Sequence, residues 1–354
     1  MIFPLRQNPD GHFKRTNSVT QKHIVVIGAG AWGTALSVAM RRVGHRVSLL
    51  TRCHEHAKTV HEGRENKRYL AGIPLDPGIL VEANPDHLKD ADVILWVVPA
   101  QFAIETADSL LPYIQPHCPI VICSKGIDAK SPIVDENSLL TAVIGKILPN
   151  PLAILSGPNF AIEVAHGLPA AATLAAFSPD LAIQLVQTLK HPRFRLYASD
   201  DPIGVQVAGA VKNVIAIASG IVFGKNLGHN ANAALMTRGL AEIRRLGLSL
   251  GGKLQTFLGL AAVGDLTLTC SSQQSRNMSL GVALGQGQKL EDILKSRHTV
   301  AEGLYTAAAV HKLSALKSVP MPICEAVHNI LYHQGSVDEV IESLLDRREK
   351  WEDL

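Results

Sequence analysis

Lys212 is the position where side-chain type and surroundings most plainly suggest chemistry. It stands in Gly204-Val205-Gln206-Val207-Ala208-Gly209-Ala210-Val211-Lys212-Asn213-Val214-Ile215-Ala216-Ile217. The flanks are apolar and small, so a helix here is substantially buried. A buried lysine bears a desolvation penalty and holds its proton less tightly unless an anion compensates. Such a lysine donates and accepts protons near neutrality. A lysine snorkelling from the rim of a core helix is the competing reading. Asn213 is placed to orient a substrate or the lysine.

A second chemical feature is Gly28-Ala29-Gly30-Ala31-Trp32-Gly33, which follows the β-branched run Ile24–Ile27 and opens the helix-like segment Thr34–Met40. In that order, Gly28 permits a tight turn, Gly30 lets backbone approach a pyrophosphate at the helix N-terminus, and Gly33 lets helix and strand pack closely. The next strand-like run, Arg46–Leu50, ends in Thr51-Arg52. An NAD-selective site usually carries an acid there, whereas the Arg52 guanidinium suits a 2′-phosphate. The cofactor expected is NADP(H), although a missing acid does not exclude NAD(H).

Four further groups qualify. Lys125, in Ser124-Lys125-Gly126, follows an apolar strand and lies where open α/β sheets bind ligands; an ordinary surface lysine is the alternative. Gly157-Pro158-Asn159-Phe160-Ala161 also follows a strand and brings backbone amides to a helix start, unless it is only a turn with Asn159 as N-cap. Ser275-Arg276-Asn277, near Gly264-Asp265-Leu266, offers a hydroxyl, a bidentate guanidinium and an amide to a phosphate; a capped helix with an exposed arginine is the plainer reading. Asp265 can fix Lys212 or bind a substrate hydroxyl. Glu302 either touches the cofactor or is a surface carboxylate.

These residues need a frame. Val93–Val98, Ile120–Cys123, Ala153–Leu155, Ala170–Leu174 and Phe194–Tyr197 read as strands. Helix-like stretches cover about Phe102–Leu111, Val134–Ile147 and Leu181–Leu189. The β-α alternation predicts an α/β, Rossmann-type, doubly wound, mostly parallel sheet. Past Asp200-Asp201-Pro202 strand signals fade, and Val205–Ile217, Ala231–Leu246, Leu290–Leu294 and Val337–Leu345 suit helices. The expected organisation is a loose extension over residues 1–22, a dinucleotide-binding domain over 23–199 and an all-α substrate domain over 200–354.

The 354 residues are 47% hydrophobic, enough for two cores. With 34 basic and 31 acidic residues, the net charge of +3 gives no footprint for nucleic acid. Residues 1–22 lack the apolar core of a signal peptide, and Val214–Phe223 is too short to cross a bilayer, so stable membrane insertion is not expected. The five cysteines lack paired spacing and read as buried small hydrophobes in a reducing cytoplasm. The 15 histidines show no metal-ligand pattern, and there is no Gly-x-Ser-x-Gly elbow. A homodimer stays open.

Taken together, the chain resembles the bacterial-type NAD(P)-dependent glycerol-3-phosphate dehydrogenases from about Ile24 to Gly335. The motifs carrying the resemblance are the glycine fingerprint, Gly157–Ala161, Val211–Ala216, Thr237-Arg238-Gly239-Leu240-Ala241-Glu242, Gly264-Asp265-Leu266 with Thr269-Cys270, and Ser275-Arg276-Asn277. The resemblance implies interconversion of dihydroxyacetone phosphate and sn-glycerol 3-phosphate, supplying phospholipid synthesis, with Lys212 as general acid and base. It implies that Lys125, Gly157, Asn159, Asp265, Ser275, Arg276 and Asn277 line the substrate site. Trp32, Arg52, Lys125, Ala161, Arg276, Val300 and Glu302 would contact the dinucleotide beside Gly28, Gly30 and Gly33. Ala31, Asn159 and Ala262-Val263-Gly264 depart from the family pattern. The alternatives are a β-hydroxyacid or ketopantoate-type reductase of the same plan, or a non-catalytic dinucleotide sensor.

Overall fold

The structure is a computed structural model and describes residues 20–130, 134–296 and 301–346. Among the described residues there are eight strands: β1 His23–Ile27, β2 Arg46–Leu50, β3 Ile79–Glu82, β4 Val93–Trp96, β5 Ile120–Ile122, β6 Leu152–Ser156, β7 Ala170–Ala176 and β8 Phe194–Ser199. They make one sheet in the order β3-β2-β1-β4-β5-β6-β7-β8. Among the strand pairs of the described residues, β6–β7 alone is antiparallel. Because strand side chains alternate, Ile24, Val26, Val47 and Leu49 enter one core, while Val25, Ile27, Ile94 and Trp96 enter another on the opposite face. Burial on both faces is why these strands read as continuous apolar runs.

Helices α1 Ala31–Arg42, α2 His54–Gly63, α3 Ala103–Leu110, α4 Leu140–Gly145, α5 Ala161–His166 and α6 Pro179–Leu189 are interleaved with the strands. Two expectations need correction. The helix expected over Val134–Ile147 is a 3-10 turn, Glu136–Ser138, followed by α4; Leu139 between them is extended, with φ −65° and ψ 140°. Phe102 belongs to a 3-10 turn, Ala100–Phe102, preceding α3. Strand β3 is an addition that the sequence reading did not contain.

Beyond Ser199 the described chain is helical: α7 Pro202–Gly224, α8 Gly228–Ser249, α9 Asp265–Cys270, α10 Arg276–Gly285, α11 Leu290–Ser296, α12 Glu302–Leu316, α13 Pro322–Tyr332 and α14 Val337–Leu345. Its core also takes in Ile127, Val134 and Leu139 from the chain after β5. Helix α7 is the axis of this half. At 23 residues it is long and apolar enough to cross a membrane, so shortness is not what argues against a span; it is buried within the protein. Helix α10 lies backbone to backbone against α7. A Cβ on Gly220 would sit 2.1 Å from the Met278 carbonyl oxygen, and one on Gly281 would sit 2.0 Å from that of Ile217. Only glycine permits this approach, and it brings the Ser275-Arg276-Asn277 end of α10 to the helix that carries Lys212. The cysteines are free; four are buried as expected, but Cys53 is exposed.

Candidate active site

The glycine turn is built as its sequence demands. Gly28 has φ +110°, and its N–H donates to Leu50 O at 2.9 Å. A Cβ there would meet Val97 O at 2.7 Å, and one on Gly33 would meet Gly28 O at 1.9 Å. A Cβ on Gly30 meets nothing within 4 Å, so the space above it is open. Gly30 is also the N-cap of α1 and supplies no side-chain cap. This open cradle at a helix N-terminus fits a dinucleotide pyrophosphate. Buried Asn66, not foreseen from the sequence, braces the turn: its Nδ2 donates to Ala29 O at 2.9 Å and to Thr34 Oγ1 at 2.8 Å. Trp32 is half-buried, edge-on to Phe194. Arg52 is exposed, with its guanidinium 5.4 Å from the Phe102 ring centre. Ala161 opens α5.

The reactive cluster assembles from three segments. Lys212, on α7, is 5% exposed. Its Nζ lies 2.8 Å from Asp265 Oδ1 and donates to Thr269 Oγ1 at 2.5 Å. Lys125, after β5, points its Nζ at Asp265 Oδ2, 2.6 Å away, and donates to Gly157 O at 2.9 Å. A single π-helical turn, Leu260–Gly264, sets the phase of α9 so that Asp265 and Thr269 share the face toward Lys212. Asp265 is 1% exposed. One carboxylate between two ammonium groups leaves the cluster one positive charge in excess when both are protonated. Burial draws the Lys212 pKa down to about 8; Asp265 opposes that shift and the Lys125 charge adds to it.

A hydrogen-bonded chain links this cluster to α10. Asn213 donates to Lys125 O at 3.3 Å and accepts from Asn277 Nδ2 at 2.9 Å. Asn277 Oδ1 accepts from Gly303 N–H at 3.0 Å, so much of its amide is spent on structure. Asn213 thus orients the Lys125 backbone, not the Lys212 side chain. Ser275 caps α10, accepting from Met278 N–H at 3.2 Å, and Arg276 is exposed on the first turn. Burial raises the Glu302 carboxyl pKa, and Arg276 and Lys125 pull it back; Glu302 is therefore not a plain surface carboxylate.

Asn159 is not a helix cap: Phe160 holds that position at α5, and Asn159 Nδ2 donates to Ala171 O at 3.1 Å. Its Oδ1 is buried without a partner. Val300 lies outside the described residues. The role of Thr269 was missed, although its place one helical turn after Asp265 was the available signal. No cluster of metal ligands occurs among the described residues.

Family models agree with this arrangement. The N-terminal model of NAD-dependent glycerol-3-phosphate dehydrogenase matches residues 23–182, and its C-terminal model matches 201–342. The glycerol-3-phosphate dehydrogenase [NAD(P)+] of Rhodospirillum rubrum is 48% identical over 327 residues, 92% of each chain. The solved structure of glycerol-3-phosphate dehydrogenase from Coxiella burnetii superposes with a TM-score of 0.87 at 37% identity, covering 92% of this chain and 99% of that one. A ketopantoate reductase from Ralstonia eutropha shares the fold alone, at a TM-score of 0.55 and 14% identity, over 90% of this chain and 99% of that one. The chain belongs to the NAD-dependent glycerol-3-phosphate dehydrogenase family.

Proposed function

We propose that this protein interconverts dihydroxyacetone phosphate and sn-glycerol 3-phosphate with NADP(H), accepting NAD(H) as well, and so supplies glycerol 3-phosphate for phospholipid synthesis in the cytoplasm. The observation that carries the reading is Lys212, buried and held between Asp265 and Thr269. Gly28, Gly30 and Gly33 hold the dinucleotide pyrophosphate. Trp32, Arg52, Ala161, Val300 and Glu302 are assigned to the remainder of the cofactor. When bound, the dinucleotide supplies or removes the hydride at substrate C2.

The protein's own groups do the rest. In reduction Lys212 gives its Nζ proton to the C2 oxygen, and in oxidation it takes that proton back. The excess positive charge shared with Lys125 stabilises the oxygen as negative charge grows on it. Asp265 keeps Lys212 protonatable despite burial. Thr269, whose hydroxyl is engaged by Asp265 O at 2.6 Å, fixes the Nζ direction. The Asn159 Oδ1 accepts a substrate hydroxyl, and Gly157 leaves backbone beside it. Ser275, Arg276 and Asn277 anchor the phosphate and place C2 for transfer. We assign residues 23–199 as the dinucleotide-binding domain and 200–354 as the α-helical substrate domain, each lending residues to the other's ligand.

The test is a substrate panel with NADPH and NADH side by side. Reduction of dihydroxyacetone phosphate, with little turnover of unphosphorylated keto acids, is expected. Turnover of the keto acids alone selects the ketopantoate-type alternative, and binding of NADPH without any turnover selects the sensor.

A further inference from the structure

Two cations converge on one aromatic ring at the edge of the cofactor site. Arg52 Cζ and Lys130 Nζ each lie 5.4 Å from the Phe102 ring centre. They arrive from different parts of the sheet. Arg52 stands two residues beyond β2, Phe102 closes the 3-10 turn after β4, and Lys130 lies in the chain after β5. Strand β1, which delivers the Gly28 turn, lies between β2 and β4. Arg52 and Phe102 therefore flank the turn at the carboxyl ends of the strands.

The placement of Lys130 is set by backbone. Its N–H donates to Asp128 Oδ1 at 3.1 Å, and the Asp128 N–H donates to Ser138 O at 2.9 Å. Gly126 packs so closely on the Ala100 turn that a Cβ there would lie 2.6 Å from the Ala100 methyl. This contact ties the Lys125–Lys130 segment to the Ala100–Phe102 turn. Both cations are exposed, and neither forms a salt bridge among the described residues. Asp128, the acid within the Lys130 segment, is buried and already bonded to backbone. Like charges gathered on one ring are stabilised when an anion joins them.

We propose that Lys130 and Arg52 form a two-cation clamp for the 2′-phosphate of NADP(H), with Phe102 as the platform that holds both side chains. The inference rests on the reading that the adenosine half of the dinucleotide lies beside Arg52. A phosphate dianion engages both cations, while the 2′-hydroxyl of NAD(H) offers neither a charge. Lys130 is thus a specificity-determining residue, supplied by the same short segment that carries Lys125 to the substrate.

The experiment is calorimetric titration of the full-length protein with adenosine 2′,5′-bisphosphate and with 5′-AMP. The variants are Lys130→Ala, Lys130→Arg, Arg52→Ala and the double alanine. Lys130→Ala is expected to weaken the bisphosphate about tenfold, the scale of one charge-assisted hydrogen bond, and 5′-AMP far less. Lys130→Arg restores the preference, and the double variant binds the two nucleotides nearly alike. If Lys130→Ala weakens both nucleotides equally, or neither, the clamp is overturned. Should Arg52→Ala still remove the preference in that case, Arg52 acts alone and the cofactor reading stands. Should Arg52→Ala leave the preference intact, the clamp and the placement of the adenosine half fail together.

Discussion

Asp265→Asn preserves the shape of the site and removes the charge at its centre. The carboxylate is 1% exposed and touches two ammonium groups, at 2.8 Å (Lys212) and 2.6 Å (Lys125). Burial is the main reason Lys212 titrates near 8, and Asp265 is the foremost influence opposing it. An opposite charge at this distance supports a pKa by about one to three units, or ~1.4–4 kcal/mol. The variant loses that support while the repulsion from Lys125 remains, so Lys212 gives up its proton at lower pH. The sign follows from the protonation state each direction needs. Reduction uses the ammonium form, so the alkaline limb of kcat/KM for dihydroxyacetone phosphate, near pH 8 in the parent, moves down by about one to three units. Oxidation uses the neutral amine, so the acid limb for glycerol 3-phosphate moves down with it. Profiles taken in both directions at saturating cofactor read the shift. Limbs that stay in place, or move to higher pH, would falsify the assignment of Asp265 as the group that keeps Lys212 protonatable.

Other expectations concern the supports around the site. Thr269→Val removes the oxygen that receives the Lys212 proton donor and should lower kcat about tenfold with little change in substrate KM; Thr269→Ser should recover most of it, and a change confined to KM would count against a positioning role. Asn66→Ala leaves Ala29 O and Thr34 without their buried partner. It should raise the NADPH dissociation constant several-fold and cost about 1–3 kcal/mol in a denaturant titration. Glu242, 1% exposed, accepts from the Ile323 and Cys324 N–H groups at 2.7 and 3.1 Å and so caps α13 from α8. Glu242→Gln should lower stability by about 1–3 kcal/mol while leaving kcat unchanged; an unchanged thermal midpoint would remove that role.

Much of the frame was legible because burial imposes simple patterns. Strands buried on both faces leave runs such as Ile24–Ile27 and Ile120–Cys123. A helix surrounded by protein leaves a run such as Val205–Ile217. The break in pattern near Pro202 marks where the last strand, ending at Ser199, gives way to α7. β3 escaped because four residues carry too little periodicity. The Val134–Ile147 segment misled because its apolar residues serve a 3-10 turn and a short helix, with Leu139 extended between them. At the site, Lys212 stood out because a charge amid small apolar residues is conspicuous. Asp265 could be paired with Lys212 from its type alone, and it does pair with it; that Lys125 shares the same carboxylate was less visible, since three distant segments must meet. Thr269 and Asn66 are ordinary polar residues whose importance comes wholly from what they touch. For Asn159 a helix cap was the competing reading, because asparagine before a helix commonly is one; its amide instead bonds the neighbouring strand at Ala171.

Lys212→Ala offers the most direct measurement, with turnover of dihydroxyacetone phosphate and binding of NADPH followed on the same preparation. Loss of the general acid is expected to lower kcat by about a hundredfold to ten-thousandfold, while the NADPH dissociation constant stays within about twofold, because the cradle at Gly28–Gly33 is untouched. Turnover close to that of the parent would contradict the account, because a group other than Lys212 would then have to supply the proton to the C2 oxygen.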